Sequence, residues 1–143
     1  MKSEHGYYFE DLTPGMSASY TRTVTEKDIR QFAEVSGDTN PVHLDEEFAA
    51  TTRFKKRIAH GMLSGSYIST VVGTKLPGPG CLYVSQTLKF RAPVYIGDKV
   101  IATATITELN ERRGYVTLST ICSVGDTDVI HGEAMMLVPR KPE

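Results

Sequence analysis

The sequence predicts an α+β fold in which a curled antiparallel β-sheet wraps around one long, buried helix. Two observations support this prediction. The segment from residue 60 to residue 75 contains no acidic residue, and its only basic residue, Lys75, closes it. A helix without a charged face has to be buried. The chain after residue 81 consists almost entirely of strand-like segments that can cover such a helix.

Composition and charge place the chain among ordinary globular proteins. Its 143 residues suggest a single domain over 1–143, 40% of them are hydrophobic, and the formal net charge is −1. This balance gives no reason to expect nucleic acid or a membrane as a partner. No apolar run reaches the ~18 residues of a membrane span, and no signal peptide is evident, so a soluble, cytoplasmic protein is expected. Cys81 and Cys122 have no metal-like spacing and are interpreted as reduced, buried thiols.

The first third of the chain predicts a strand followed by a helix. Residues 17–25 alternate loosely, as a strand does. Thr25 is then expected to cap a helix that Gly37 ends. The apolar face of this helix is expected to consist of four residues: Ile29, Phe32, Ala33 and Val35.

A segment rich in turn-forming residues follows this helix, from Ser36 to His43. Pro41 lacks an N–H group and pushes the residue before it away from helical backbone angles. The segment is therefore predicted to be a rigid, irregular loop that holds Asp38 and His43 in a set relationship. Asp45 is expected to cap a short helical turn directly after it.

The buried helix and four strands complete the predicted fold. Leu63, Tyr67 and Val71 fall at helical spacing, whereas the glycines and β-branched residues around them are poor helix formers, so tertiary packing has to hold the helix. The proline and glycine run 76–80 ends it. Four strand-like segments follow at 82–90, 100–109, 115–124 and 129–138. Because short turns join them, we expect an antiparallel meander.

Asp38 and His43 are the first candidate for chemistry. A carboxylate can orient an imidazole, or the two groups can hold one water together, and both arrangements suit proton transfer. The alternative is an Asx-type turn at Asp38 and a histidine that satisfies backbone groups. Two titratable groups within eight positions exceed what a turn requires, which favours the functional interpretation.

The start of the buried helix is the second candidate. Its first N–H groups lack partners within the helix, so the N–H of Gly61 is a candidate donor to an oxyanion or a thioester oxygen. The alternative is that Gly61 only lets two elements pack closely. His60 is expected to be structural, and Ser69, near the middle of the helix, is a packing residue on spacing alone.

Two further clusters are weighed against simpler explanations. The spacing of Asp38, His43, Asp45 and His60 fits no standard metal-ligand pattern, so no metal is expected. A group of basic residues is expected to be a solvated face, with contact to the phosphates of a nucleotide-like ligand as the alternative. Its members are Arg53, Lys55, Lys56 and Arg57, joined by Lys89 and Arg91.

The run from Phe32 to Ala49 resembles the signature of the MaoC-like R-specific enoyl-CoA hydratases, also called hydratase 2. The run from Arg57 to Leu63 resembles the start of the central helix in that family. Similarity extends over residues 8–138 and includes supporting runs at 76–80, 86–90, 93–94 and 97–98.

This resemblance implies a hot-dog fold, in which a sheet wraps a long helix, with one MaoC-like domain over 1–143. It implies a homodimer or a larger homo-oligomer, with the acyl pocket near the subunit interface. It further implies the reversible hydration of trans-2-enoyl-CoA to (R)-3-hydroxyacyl-CoA in fatty acid metabolism, with no metal or redox cofactor.

The resemblance also implies roles for individual residues. Asp38 and His43 would hold the water, with His43 as the base and Asp38 orienting the water and sharing in proton transfer. The N–H of Gly61 would bind the thioester oxygen. Ser69 falls at the position of a helix serine of the family, and Asn40 is a second supporting residue.

Three other functions remain open at this point. They are a 3-hydroxyacyl-thioester dehydratase that acts on a carrier protein, an acyl-CoA thioesterase, and a non-catalytic acyl-CoA-binding module. The intact pair of Asp38 and His43 argues against the last of these, since a pure binding protein has no use for a general base.

Overall fold

A computed structural model describes residues 5–143. Five antiparallel strands form one sheet, and the longest helix, α4, lies against it. In chain order the elements are a 3₁₀ turn Phe9–Asp11, β1 Ser17–Thr23, α1 Glu26–Ser36, α2 Pro41–Leu44, α3 Glu46–Ala50, α4 Gly61–Thr74, β2 Leu82–Phe90, β3 Lys99–Asn110, β4 Tyr115–Val124 and β5 Thr127–Leu137. In the described part of the chain, no helix is both long and apolar enough to cross a membrane.

The strands lie in the order β1-β3-β4-β5-β2. The predicted meander is confirmed for β3, β4 and β5 and is wrong for β2, which pairs with β5 at the edge of the sheet. In a meander β2 would pair with β3, but that edge of β3 pairs with β1 instead. The connection from β2 to β3 instead runs past the start of α4, where the Ala59 N–H donates to the Val94 carbonyl and Ile58 bridges to Tyr95.

Helix α1 begins and ends where local sequence predicts. The Thr25 hydroxyl accepts from the Asp28 N–H, and Gly37 ends the helix with a φ of 79°. The preceding strand stops at Thr23, two residues earlier than expected. Ile29 and Ala33 are buried as predicted, but Val35 is 83% exposed, so its place on the apolar face was wrong. Six residues turn a helix by about 600°, which directs Val35 away from Ile29.

The segment predicted as an irregular loop contains the short helix α2, and that expectation is corrected. The Asn40 side chain accepts from the Val42 N–H at 3.2 Å and caps the helix. Pro41 is the first helical residue, where its missing N–H costs nothing and its fixed φ suits the helix. Asp45 caps α3, as expected, by accepting from the N–H groups of Glu47 and Phe48.

Helix α4 is buried as predicted, and it provides one side of the hydrophobic core. The sheet meets it with small residues on β3, Ala102 and Ala104, which are fully buried and let the helix approach closely. The buried residues of the helix are Leu63, Ser64, Tyr67, Ile68, Val71 and Val72. A separate face of the helix, with Gly61, Ser69 and Gly73, stays exposed.

Candidate active site

A cavity of about 420 Å³ lies beside the N-terminal end of α4. Its polar lining includes Asp38, His43 and His60, and Gly61 adds backbone at the same place. Apolar walls come from residues on several elements, among them Phe54, Phe90 and Ile130. The segment 37–44 and the start of α4 therefore meet around one space of ligand size.

His43 lies on α2 and is 7% exposed. Its Nδ1 is 2.8 Å from the Ile58 carbonyl oxygen, which only accepts, so the neutral ring carries its proton on Nδ1 and keeps a lone pair on Nε2. Burial holds the pKa of His43 below its usual value. The bond to Ile58 and the charge of Asp38 act in the opposite direction, while His60 lowers this pKa further.

Asp38 lies between α1 and α2 and is exposed. Its Oδ1 accepts from the Asn40 N–H at 3.1 Å, so the Asx-type turn weighed above is present. No hydrogen-bond partner for Oδ2 is found in residues 5–143. One oxygen or nitrogen atom from each of Asp38, His43 and His60 lies within 4.8 Å of those of the other two. The carboxylate therefore serves the turn with one oxygen, keeps a second oxygen without a partner among the described residues, and lies beside the imidazoles.

His60 precedes α4 and is 2% exposed. Its Nε2 is 3.0 Å from the Asp38 carbonyl oxygen. Its ring stacks on His43 with centroids 3.9 Å apart and 27° between the planes, and Phe32 packs on it at 4.9 Å. Nδ1 is buried and has no hydrogen-bond partner among the described residues.

Gly61 is the first residue of α4, and its N–H has no hydrogen-bond acceptor within the described part of the chain. A Cβ atom at this position would lie 2.6 Å from the Phe90 ring. Close packing, the simpler explanation for this glycine, is therefore real. The N–H also belongs to the positive end of the helix dipole and lies at the cavity.

Arg57 is a residue whose role sequence reasoning missed. It was grouped with solvated basic residues, but it is 7% exposed and that interpretation is wrong. Its two terminal nitrogens donate to the Glu26 carboxylate at 2.8 and 2.5 Å, and its Nε donates to the His43 carbonyl at 2.7 Å. The guanidinium holds the pKa of Glu26 below its usual value. No spacing rule could have found a partner 31 positions away.

Three other candidate residues lie elsewhere. Ser69 is exposed two turns further along α4 and does not line the cavity. Asn40 caps α2, and Asp45 caps α3. Of the four residues considered for a metal, Asp38, His43 and His60 come together. Because imidazole lone pairs lie in the ring plane, two stacked rings direct them side by side rather than at one ion, which suits hydrogen bonding better than ligation.

The chain is similar to known proteins over nearly its whole length. Residues 12–128 match a family described as the MaoC-like domain. The chain is 55% identical over 135 residues to the (R)-specific enoyl-CoA hydratase of Rhodospirillum rubrum, with 94% of each protein covered. It is 50% identical to the 3-hydroxybutyryl-CoA dehydratase of Methylorubrum extorquens, with 95% of this chain and 87% of that protein covered. The solved structure of the unliganded R-hydratase PhaJ1 from Pseudomonas aeruginosa has a TM-score of 0.90 at 43% identity, covering 95% of this chain and 88% of that one.

Proposed function

The chain belongs to the MaoC-like family and has its hot-dog fold, and from this premise we propose that it is an (R)-specific enoyl-CoA hydratase. The enzyme is a hydro-lyase that adds water reversibly to a trans-2-enoyl-CoA and forms an (R)-3-hydroxyacyl-CoA. One observation carries the assignment to this site. The unprotonated Nε2 of His43, a free oxygen of Asp38 and the Gly61 N–H all belong to one cavity.

His43 is the general base in this proposal. Water is a poor nucleophile, and it attacks C3 only as a base removes its proton. The bond from Nδ1 to Ile58 leaves Nε2 as the basic atom, and burial keeps the ring neutral near pH 7. Asp38 accepts a hydrogen bond from the same water through the oxygen that Asn40 does not use. The pair therefore orients the water and takes up its proton.

Gly61 acts at the other end of the substrate. As the water oxygen bonds to C3, the C2–C3 π electrons move to the thioester carbonyl, whose oxygen becomes negative. The N–H of Gly61 donates to that oxygen, aided by the dipole of α4. The carboxylate–imidazole pair then returns a proton to C2 on the same face, which completes the addition of one water. Asn40 supports the site by capping the helix that carries His43.

The test uses purified protein with crotonyl-CoA. We expect loss of the enoyl-thioester absorbance without release of CoA, and a product that an (R)-specific 3-hydroxyacyl-CoA dehydrogenase oxidises. Free CoA in proportion to substrate lost would instead identify a thioesterase. Turnover only of the crotonyl group on a carrier protein would identify the carrier-linked dehydratase.

The acid side of the pH profile tests the state of His43. A base works only without its proton, so activity is present above the pKa of His43 and is lost as pH falls through it. Burial lowers this pKa from 6.5. We therefore expect kcat/KM to stay constant as the pH falls to 6.5, and to fall about tenfold per pH unit only at pH values below the lowered pKa. A midpoint above 6.5 for this loss, measured at constant ionic strength, would contradict the assignment.

Two exposed arginines that line the cavity, Arg53 and Arg91, support CoA as the carrier of the acyl group. They come from the loop after α3 and from the end of β2, so they bring two positive charges to one site. Guanidinium groups bind phosphates in bidentate fashion. We propose that they contact the phosphates of CoA.

Changing Arg53 or Arg91 to Ala is expected to raise KM for crotonyl-CoA by about tenfold, the effect of losing one charge-assisted hydrogen bond, and to leave kcat within about twofold. The N-acetylcysteamine thioester lacks phosphates, so its KM is expected to stay unchanged. Arg112→Ala, in the exposed turn between β3 and β4, is the matched control. Equal KM increases for both thioesters would refute a phosphate contact.

We also propose a homodimer joined along the edge strand β2. This strand exposes Leu82 at 63% and Val84 at 47%, beside a free row of backbone groups. Ser69 lies exposed on a helix face it shares with Gly61, which lines the cavity, so a partner chain that covers this face would extend the cavity towards Ser69.

Sedimentation of the wild type at micromolar concentration is expected to show a dimer or a larger species. Replacing both Leu82 and Val84 by Glu is expected to yield monomers, because charges on the edge oppose pairing. Val35→Glu, on α1 with 83% exposure, is the control and should leave the assembly intact. A monomeric wild type would contradict the proposed interface.

Two broader expectations complete the proposal. We propose that residues 1–143 form one domain, since one hydrophobic cluster extends from Phe9 to Val138. We also propose that the enzyme works in the cytoplasm in fatty acid metabolism. Cys81 and Cys122 are free thiols, as is usual in a reducing compartment.

A further inference from the structure

The two stacked imidazoles of the site have different hydrogen-bond partners. His43 places Nδ1 at 2.8 Å from the Ile58 carbonyl, and His60 places Nε2 at 3.0 Å from the Asp38 carbonyl. A carbonyl oxygen only accepts, so each contacting nitrogen carries the proton of a neutral ring. The two rings therefore hold opposite tautomers, with His43 protonated on Nδ1 and His60 on Nε2.

We propose that His60 is a positioning residue that anchors the Asp38 backbone and sets the ring plane of His43. Its role in hydration rests on the function proposed above. The bond from Nε2 to the Asp38 carbonyl ties the exposed segment 37–40 to the start of α4. The stack on His43 at 3.9 Å limits rotation of the basic ring. One side chain thus sets the distance between the base and the carboxylate.

The burial of His60 argues that packing alone does not explain it. Its Nδ1 is buried without a partner among the described residues, which disfavours the folded state. A phenylalanine would stack on His43 and Phe32 without leaving such an atom. What phenylalanine lacks is the N–H that reaches Asp38. The hydrogen bond is therefore the feature that requires histidine here, and groups that orient a reacting side chain act in this way.

The first test reads the tautomers in the wild-type protein. Long-range ¹H–¹⁵N spectra of histidine-labelled enzyme at about pH 7.5 are expected to show the ring proton of His43 on Nδ1 and the ring proton of His60 on Nε2. A proton on Nδ1 of His60 in the neutral ring would overturn the proposal, because Nε2 could not then donate to Asp38. This measurement does not depend on the reaction.

The second test separates the hydrogen bond from the ring. His60→Phe keeps the ring stack and loses the hydrogen-bond donor. We expect kcat to fall about 30-fold while KM stays within threefold of the wild type. Misplacement of a reacting group by about 1 Å can cost 10²-fold in rate. His60→Gln retains an N–H donor and is expected to recover at least about threefold of that loss. His131→Gln, at a half-buried position on β5 outside the cavity, is the control and should retain full activity.

The outcomes of the variants are distinguishable. A kcat for His60→Phe within threefold of the wild type overturns the proposal. A loss of activity no larger than the loss of folded protein, measured by thermal unfolding, also overturns it. If His60→Phe does not fold, the tautomer test decides, because a neutral His60 ring with its proton on Nδ1 overturns the proposal. Hydrogen exchange adds a readout without turnover, because loss of the anchor is expected to speed exchange of the Asn40 N–H. If wild-type protein fails to hydrate crotonyl-CoA, the proposed function fails while the tautomer and exchange results still test His60.

Discussion

Replacing Asp38 by Asn or His43 by Gln is expected to lower kcat on crotonyl-CoA by about 10²–10⁴-fold, the usual contribution of a positioned acid or base. Asn keeps the size of Asp38 and removes the charge that supports proton transfer. Gln removes the basic Nε2 that the bond from His43 to Ile58 leaves free. Because the two groups act on one water, the kcat of the double variant is expected to be no more than about threefold below that of the less active single variant.

Matched substitutions on the surface control for this experiment. Asp126→Asn is at an exposed position in the turn between β4 and β5, and His131→Gln is at a half-buried position on β5. Both make the same chemical changes outside the cavity. Both are expected to keep full activity, and circular dichroism should show all variants folded. Full turnover by folded Asp38→Asn or His43→Gln protein would show that the reaction takes place elsewhere.

The second large effect is expected at Arg57. Changing Arg57 to Met removes a bidentate ion pair with Glu26 and leaves the His43 carbonyl without its donor. Glu26 is 44% exposed and can be hydrated. The loss of stability is therefore smaller than for a fully buried charge that loses its partner. We expect the free energy of unfolding to fall by about 2–3 kcal/mol in a urea titration. We also expect kcat to fall about tenfold, because the helix that carries His43 loses an anchor.

Two neighbouring variants separate these effects. Glu26→Gln keeps the bond from the Arg57 Nε to His43, so it is expected to destabilise the protein while kcat stays within about threefold. Arg30 also pairs with Glu26, but it is 61% exposed, so Arg30→Met is expected to change stability by about 0.5 kcal/mol or less. Equal stability losses for Arg57→Met and Arg30→Met would contradict the proposed role of the buried pair.

Local sequence rules predicted most element boundaries. The caps at Thr25 and Asp45 and the stop at Gly37 depend on hydrogen bonds within four residues, which spacing alone reveals. The buried helix was predicted because it has no charged face, and the structure confirms it. The short helix α2 was missed because Pro41 was taken as a helix breaker, whereas proline is well suited to the first helical position.

The family, the fold and the hydratase reaction were predicted from the resemblance of the run 32–49, and the similarity to known hydratases confirms the family and the fold and agrees with the reaction. The roles of Asp38, His43 and Gly61 stay predictions that the variants test. His60 was expected to be structural, and nothing in its spacing indicated that its ring stacks on His43.

The sequence by itself determined what short-range chemistry controls: the helix caps, the uncharged helix that must be buried, and a carboxylate five positions before an imidazole. Only the tertiary structure decided the pairing of β2 with β5, the burial of Arg57 against Glu26, and the stacking of His60 on His43. The reason is physical. These contacts join residues far apart in the chain, and their free energy depends on burial and geometry that exist only once the sheet has closed over α4.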